Sequence, residues 1–127
     1  MSQMWWHQWI ASKKIQTKKE ICYTDEIVND NFLKYNLLLE ENGFNISSGQ
    51  KQRIVLARAL QNFDILIIDE ALSNINSNLE RKILKKLIKI YHHKTIIFIT
   101  HRLDNLDLFD RYIKLENGQI ILDVTKW

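Results

Sequence analysis

Apolar residues recur every three or four positions along much of the chain, a spacing typical of amphipathic helices. It predicts helices over residues 24–41, 48–61 and 77–91. The last of these begins with Ser77 and has Glu80 three residues later. A serine and a glutamate at this spacing form a capping box, in which each side chain accepts a hydrogen bond from the backbone N–H of the other residue. The pattern therefore predicts three helices and a defined start for the third.

Two shorter apolar runs, over 64–69 and 95–100, are rich in isoleucine and do not alternate with polar residues. Continuous runs of this kind are typical of parallel strands that are covered on both faces. Nearer the C-terminus, residues 111–124 contain Asn117-Gly118 between two strand-like segments, which favours a type I′ hairpin turn. Helices and strands in this order predict an α/β fold with a mostly parallel sheet and a C-terminal β-hairpin.

The composition of the 127 residues, 46% hydrophobic and 26% charged, is that of one globular domain. The single cysteine, Cys22, excludes an internal disulfide and indicates a reducing compartment. The net charge of +3 is a small excess, which argues against a nucleic-acid partner. No apolar run approaches the roughly 20 residues that span a bilayer, so we expect any work at a membrane to go through a partner chain.

The stretch 1–20 combines Trp5, Trp6 and Trp9 with a run of lysines. One interpretation is an arm that binds a partner or an interface. The other, which we favour, is a segment without a settled role. We accordingly divide the sequence into an N-terminal segment, 1–23, and a main domain, 24–127.

The stretch NISSGQKQR, residues 45–53, places small polar residues at the start of the second predicted helix. The first N–H groups of a helix lack intrahelical partners and lie at the positive end of its dipole, so they attract anions such as phosphate. Ser47 and Ser48 add hydroxyl groups, and Gly49 lets an anion approach the backbone closely. The alternative is an ordinary capped loop.

Polar side chains also stand at the ends of both predicted parallel strands. Asp69 and Glu70 end the first strand, and His101 follows the second. Ligands of parallel α/β sheets bind at this edge. An aspartate there can hold Mg²⁺ beside substrate phosphates, and a glutamate can polarise an attacking water. The alternative is a strand that merely ends in polar residues, followed by a structural histidine.

The order of these motifs resembles the C-terminal part of the ATP-binding cassette of ABC transporters. The signature of that family, LSGGQ, is similar to ISSGQ at 46–50, and its Walker B strand resembles 65–69, with Glu70 in the place of the catalytic glutamate. Its D-loop, SALD, corresponds to SNIN at 73–76, and its switch histidine to His101. The segments that flank these motifs look most like exporter-type cassettes.

The resemblance covers residues 39–124. It implies an incomplete sheet of the P-loop NTPase type and an ATPase that uses ATP and Mg²⁺. The implied roles are catalysis by Glu70 and His101, binding of Mg²⁺ by Asp69 directly or through water, contact with the phosphates of ATP held by a second cassette through Ser47, Ser48, Gly49 and Gln50, and dimer contact by Ser73 and Asn76.

Three departures from the family pattern affect these expectations. Asn76 stands where the D-loop has aspartate, and Ser48 stands where the signature has glycine. No G-x-x-x-x-G-K-[ST] phosphate loop, the Walker A motif of the family, occurs in the sequence. We therefore expect that the chain alone does not turn over ATP, and that the strand at 95–100 has an unpaired apolar edge.

The resemblance implies a segment of an ABC transporter that couples ATP binding and hydrolysis to export. Its implied partners are a second ATP-binding cassette and a transmembrane subunit or domain, and its implied location is cytoplasmic, at the inner face of the cell membrane. One alternative is a truncated non-catalytic remnant, or a chain that donates its signature in trans. Another is a lobe of a DNA-repair or chromosome-maintenance ATPase, which the basic stretch 13–19 supports and the lack of heptads in 1–45 opposes.

Overall fold

The computed structural model describes residues 13–29 and 46–126 of the chain. Helices and strands alternate through the middle of it, as the apolar periodicity predicts, and a hairpin follows. A 3₁₀ turn at Leu106–Leu108 precedes this hairpin. The helices are α1 (Lys13–Cys22), α2 (Thr24–Asn29), α3 (Ser48–Ala59) and α4 (Ser77–Ile90), and the strands are β1 (Ile65–Asp69), β2 (Thr95–Ile99), β3 (Arg111–Glu116) and β4 (Gln119–Thr125).

Strands β1 and β2 form a parallel pair, with Ile65 opposite Thr95 and Asp69 opposite Ile99. Among the described residues β2 pairs with β1 alone. The prediction that both faces of the sheet are covered is wrong for this part of the chain. Leu66 and its neighbours on one face are buried, whereas Ile65 and Ile67 on the other are each 62% exposed. The helices of the described structure therefore cover one face only.

The core lies between that covered face and a layer formed by α1, α3 and α4. Its fully buried members include Ile21 and Cys22 of α1, which lie in the segment that we separated from the main domain. Burial raises the pKa of the Cys22 thiol to about 12, so the thiol stays protonated at neutral pH. The apolar side chains of the core are Ile21, Cys22, Leu56, Ala57, Leu60, Leu66, Ile68, Leu72, Ile75, Ile83, Leu84 and Leu87.

The C-terminal strands form an antiparallel hairpin, as predicted. Asn117 and Gly118 have φ angles of +50° and +75°, and a type I′ turn requires positive φ at both of its central residues. The Arg111 guanidinium donates to both oxygens of Asp123 across the pair, at 2.9 and 2.7 Å. Turn chemistry and a cross-strand ion pair thus hold the two strands in register.

The predicted starts of α3 and α4 are correct, whereas the predicted cap of α4 is wrong. Helix α3 begins at Ser48, as predicted. Helix α2 covers the start of the range 24–41, and residues 30–41 lie outside the described part. The predicted capping box of α4 is wrong, because Asn76 is the N-cap and its side chain accepts a hydrogen bond of 2.9 Å from the N–H of Leu79. Glu80 is buried instead of reaching back to the helix start.

This cap can be tested by comparing two neighbouring substitutions. We expect Asn76→Ala to lower the free energy of unfolding by about 1 kcal/mol, because an N–H of the first turn of α4 loses its acceptor. Ser77→Ala is the matched control and should change stability little, since alanine is favourable inside a helix. Urea unfolding followed by circular dichroism measures both. A larger loss of stability for Ser77→Ala than for Asn76→Ala would instead support Ser77 as the N-cap.

Candidate functional site

The serine-rich turn at the start of α3 is an exposed helix cap. Ser47 and Gln50 form a reciprocal pair, in which the Ser47 hydroxyl accepts from the N–H of Gln50 at 3.2 Å and the Gln50 side chain accepts from the N–H of Ser47 at 2.8 Å. Ser47 and Ser48 are both exposed. The cap occupies the side chains of Ser47 and Gln50, which leaves the Ser48 hydroxyl and the first-turn N–H groups as the groups suited to an anion.

Gly49 has a packing role that the sequence analysis did not foresee. A Cβ atom at this position would lie 2.8 Å from the backbone oxygen of Asn74, which is closer than side chains tolerate. The glycine therefore lets the start of α3 approach the loop 73–76, the segment that resembles a D-loop.

Gln52 joins the same two segments through hydrogen bonds. Its side-chain oxygen accepts from the N–H of Asn74 at 3.0 Å, and its side-chain nitrogen donates to the Ser73 hydroxyl at 3.3 Å. Two independent contacts, one steric and one polar, thus fix the position of the serine-rich turn relative to the loop.

The acidic end of β1 and the histidine after β2 come together at the carboxyl edge of the sheet. The His101 Nδ1 atom lies 3.3 Å from the Glu70 Oε1 atom, and both side chains are more than half exposed. The N–H of Glu70 donates to the oxygen of Ile99 at 3.0 Å, which extends the parallel pairing past β1. Glu70 has a φ angle of +47°, a conformation that is uncommon for residues with a side chain and that clusters at functional sites.

Asp69 is the last residue of β1 and lies on the uncovered face of the sheet, as do Ile65 and Ile67. No group of three His, Cys, Asp or Glu side chains in the described residues is arranged as a metal site. Mg²⁺ does not require such a group, since it is usually held by one or two carboxylates together with substrate phosphates and water. An exposed carboxylate at a strand end fits that requirement.

Comparisons with known proteins give a consistent result. The chain is 41% identical over 116 residues to the lactococcin-G-processing and transport ATP-binding protein LagD of Lactococcus lactis, a match that covers 91% of the chain. It is 33% identical over 109 residues, or 85% of the chain, to the ATP-dependent lipid A-core flippase of Aliivibrio fischeri. Its structure matches a bacterial Atm1-family ABC exporter with ATP bound, with a TM-score of 0.79 and 27% identity over 91% of the chain. The chain belongs to the ATP-binding cassette family of ABC exporters.

The chain spans only a small part of these relatives. It covers 16% of LagD, 19% of the flippase and 21% of the Atm1-family chain. No family model matches the sequence. No helix in residues 13–29 and 46–126 is long and apolar enough to cross a membrane. The matches to LagD, the flippase and the Atm1-family exporter confirm the resemblance to exporter-type cassettes. The fold is that of a partial cassette with a small parallel sheet and a hairpin.

Arg102 is a residue of this cassette that sequence analysis missed. Its guanidinium donates to the backbone oxygens of Ser73 and Ile75, at 2.6 and 3.0 Å, and to the Glu80 carboxylate at 2.6 Å. The Glu80 side chain is only 1% exposed and also accepts a bond of 3.2 Å from Asn105. Arg102, one residue after His101, therefore also holds the D-loop-like segment 73–76 through contacts other than those of Gln52.

A sequence signal for this pairing was present in α4. Glu80 occupies the apolar face of the helix, three and four residues before Ile83 and Leu84, where a charge must find a partner. We interpreted it as a capping residue instead. The partner itself carries no local signal, because Arg102 lies 22 residues further along the chain.

A second arginine attaches the segment after His101 to α4. Arg81 donates to both oxygens of Asp107, at 2.8 and 2.5 Å, and to the backbone oxygen of Asp104 at 3.2 Å. The Arg81 guanidinium holds the pKa of the Asp107 carboxyl at about 2, well below its ordinary value. The Asp107 carboxylate therefore stays charged at neutral and mildly acidic pH. The segment that follows His101 is held at one end by Arg102 and at the other by the pair of Arg81 with Asp107.

Proposed function

We propose that the chain is the C-terminal part of an exporter cassette, in which it contributes to ATP binding and hydrolysis. The observation that supports this most is the contact between Glu70 and His101 at the carboxyl edge of the parallel strands. Glu70 would accept the proton of the attacking water. His101 would orient the carboxylate through its Nδ1 atom and act near the terminal phosphate of the nucleotide.

Asp69 would hold Mg²⁺, directly or through water, beside the phosphates. The ion supplies positive charge that stabilises the charge developing on the transferred phosphoryl group. The turn that begins with Ser47 would face ATP held by a second cassette, with Ser48 and the first N–H groups of α3 against the phosphates. The loop 73–76 is held by Gln52 and Arg102. It would then lie between the acidic edge of the sheet, which would hold Mg²⁺ and the attacking water, and the serine-rich turn that faces the ATP of the second cassette.

The proposed partners are a second cassette and a transmembrane subunit or domain, at the cytoplasmic face of the membrane. The relatives include proteins named for transport of lactococcin, for flipping of lipid A-core and for translocation of α-hemolysin. We propose transmembrane export as the shared function.

ATP turnover by the chain alone provides a first test. Because the 127 residues contain no phosphate loop of the G-x-x-x-x-G-K-[ST] type, we expect no steady phosphate release from the purified chain. Malachite-green detection over a range of Mg-ATP concentrations measures this. Steady release that disappears in Glu70→Gln would contradict the expectation.

Nucleotide-dependent association with an intact exporter cassette tests the rest of the proposal. We expect an immobilised intact cassette to retain the chain in Mg-ATP and not in its absence. Ser48→Glu should reduce this retention at least tenfold, because it places a negative charge against the phosphates. The substitution should not weaken the fold, since an acidic residue in the first turn of a helix interacts favourably with the helix dipole.

Gln61→Glu is the matched control for Ser48→Glu. It adds the same charge at an exposed position just beyond the other end of α3, and we expect it to leave retention unchanged. Equal retention with and without nucleotide would contradict the signature assignment and favour a non-catalytic remnant. Retention that needs ATP in the absence of any turnover would favour a chain that donates its signature in trans.

A further inference from the structure

A third of the positive charge of the chain lies in one segment. Residues 81–94 contain six of the 18 basic side chains and none of the 15 acidic ones. Without this segment the rest of the chain would be net negative, although the whole carries +3. The net charge of +3, which argues against a nucleic-acid partner, therefore conceals a strongly basic region.

The structure places four of these lysines on one face of α4. Successive residues of a helix are 100° apart, so Lys82, Lys85, Lys86 and Lys89 fall within an arc of about 100°. This arc is opposite the buried residues Glu80, Leu84 and Leu87. The four lysines are referred to below as the lysine face and extend over about 10 Å of the helix.

Three members of the lysine face are exposed to solvent, and the fourth is held by the protein. Lys82, Lys85 and Lys89 are exposed. Lys86 is half-buried, donates to the backbone oxygen of Glu20 at 3.0 Å and lies 3.9 Å over the ring of Tyr23. It thereby connects the lysine face to α1 and fixes one cation in place.

The arrangement is unfavourable for the helix itself. Lysines three or four residues apart repel each other, and the face contains four such pairs, from Lys82–Lys85 to Lys86–Lys89. Glutamates at alternate positions would stabilise the same helix. The helix dipole favours cations in the last turn only, which accounts for Lys89 and not for Lys82 or Lys85. Lys86 gains its contacts with Glu20 and Tyr23. The repulsion that the exposed Lys82 and Lys85 add is therefore the unfavourable feature, and proteins typically break local rules of this kind at functional sites.

The position of the lysine face allows it to act alongside the proposed site. The lysine face points away from the sheet, whereas Ile65, Ile67 and Asp69 lie on the side of the sheet that helices α1–α4 do not cover. A protein layer that covers those isoleucines would leave the lysines exposed.

We infer that the lysine face binds the anionic headgroups of a phospholipid bilayer. Clusters of four or more lysines on a helix are typical of contact with anionic lipid, at roughly 1 kcal/mol for each lysine near the surface, which corresponds to roughly fivefold in partition. The cassette belongs to proteins that work at membranes. The face contains no arginine for bidentate contact with phosphates or bases, and the nearest one, Arg81, is bonded to Asp107, so nucleic acid fits less well.

Vesicle co-sedimentation of the purified full chain tests the inference. The probes are vesicles of phosphatidylcholine alone and of phosphatidylcholine with one-third phosphatidylglycerol, at about 0.1 M salt, where screening is moderate. We expect binding to the anionic vesicles only. Changing Lys82, Lys85 and Lys89 to glutamine together should reduce the partition roughly a hundredfold, because three contacts with the surface are lost.

The control changes Arg58, Lys114 and Lys126 to glutamine, which removes the same charge from exposed positions elsewhere. We expect this variant to keep most of its binding, and circular dichroism establishes that both variants are folded. Equal loss in the two variants would overturn the inference, because net charge alone would then explain binding. Binding to neutral vesicles, absence of binding, or tighter retention on duplex DNA than on anionic vesicles would overturn it as well.

Discussion

Replacing Arg102 with glutamine is expected to lower the free energy of unfolding by about 3 kcal/mol. The substitution leaves the Glu80 carboxylate, of which only 1% is exposed, without its cationic partner. Removal of one member of a buried ion pair typically costs about 3–5 kcal/mol, and the lower value applies because 28% of the Arg102 side chain is exposed. The backbone oxygens of Ser73 and Ile75 lose their donor at the same time.

A double-mutant cycle separates the buried charge from other causes. We expect the Arg102→Gln, Glu80→Gln double variant to be more stable than the sum of the two single losses predicts, since neither partner is then left charged and alone. Arg111→Gln is the matched control. It breaks a solvent-exposed pair with Asp123 and should cause a much smaller loss. Urea unfolding of all variants supplies the measurement, and similar losses for Arg102→Gln and Arg111→Gln would contradict the structural role of Arg102.

Gly49→Ala is expected to destabilise the chain by about 1–2 kcal/mol, although alanine is favoured over glycine within a helix. Helix propensity alone would stabilise the variant by roughly 0.5–1 kcal/mol. The added methyl group would lie 2.8 Å from the oxygen of Asn74, however, and this neighbour is backbone that cannot rotate away. Forcing an extra methyl group into a packed position costs about 1–3 kcal/mol, so the steric effect outweighs the propensity.

Ser48→Ala is the control for this substitution. It changes the preceding position of the same helix to the same residue, at an exposed side chain where no clash arises. Thermal unfolding should show a lower midpoint for Gly49→Ala and little change for Ser48→Ala. An unchanged or higher midpoint for Gly49→Ala would mean that α3 and the loop 73–76 are further apart than the structure has them.

The sequence predicted those parts of the fold that depend on local patterns. The spacing of apolar residues indicated α3 and both parallel strands, and the Asn117-Gly118 pair indicated the hairpin. Each of these signals depends on residues that are close together in the chain. The start of α4 at Ser77 was predicted, but its N-cap was misplaced by one residue, since Asn76 and Ser77 are both good capping residues and only geometry distinguishes them. The uncovered face of the sheet could not be predicted, because an isoleucine run shows that a strand favours burial and not which segment buries it.

The sequence predicted which residues form the candidate site, but it did not predict which residues hold the neighbouring loop in position. Glu70 and His101 were paired correctly because parallel strands end at the same edge of a sheet. Gln52 and Arg102 were missed because each acts on backbone atoms of a loop more than 20 residues away, and no periodicity encodes such contacts. The motifs identify the chemical groups, and long-range hydrogen bonds determine their relative positions.

The exposed isoleucines of β1 lie beside the Asp69 carboxylate, so a contact that buries them also changes the surroundings of this carboxylate. Asp69 ends the same row of side chains as Ile65 and Ile67. Any layer that shields these isoleucines from solvent would also exclude bulk water beside the carboxylate and lower the local dielectric constant, which strengthens its attraction for a cation. Completion of the hydrophobic contact would thus strengthen the attraction between the Asp69 carboxylate and a cation bound beside it.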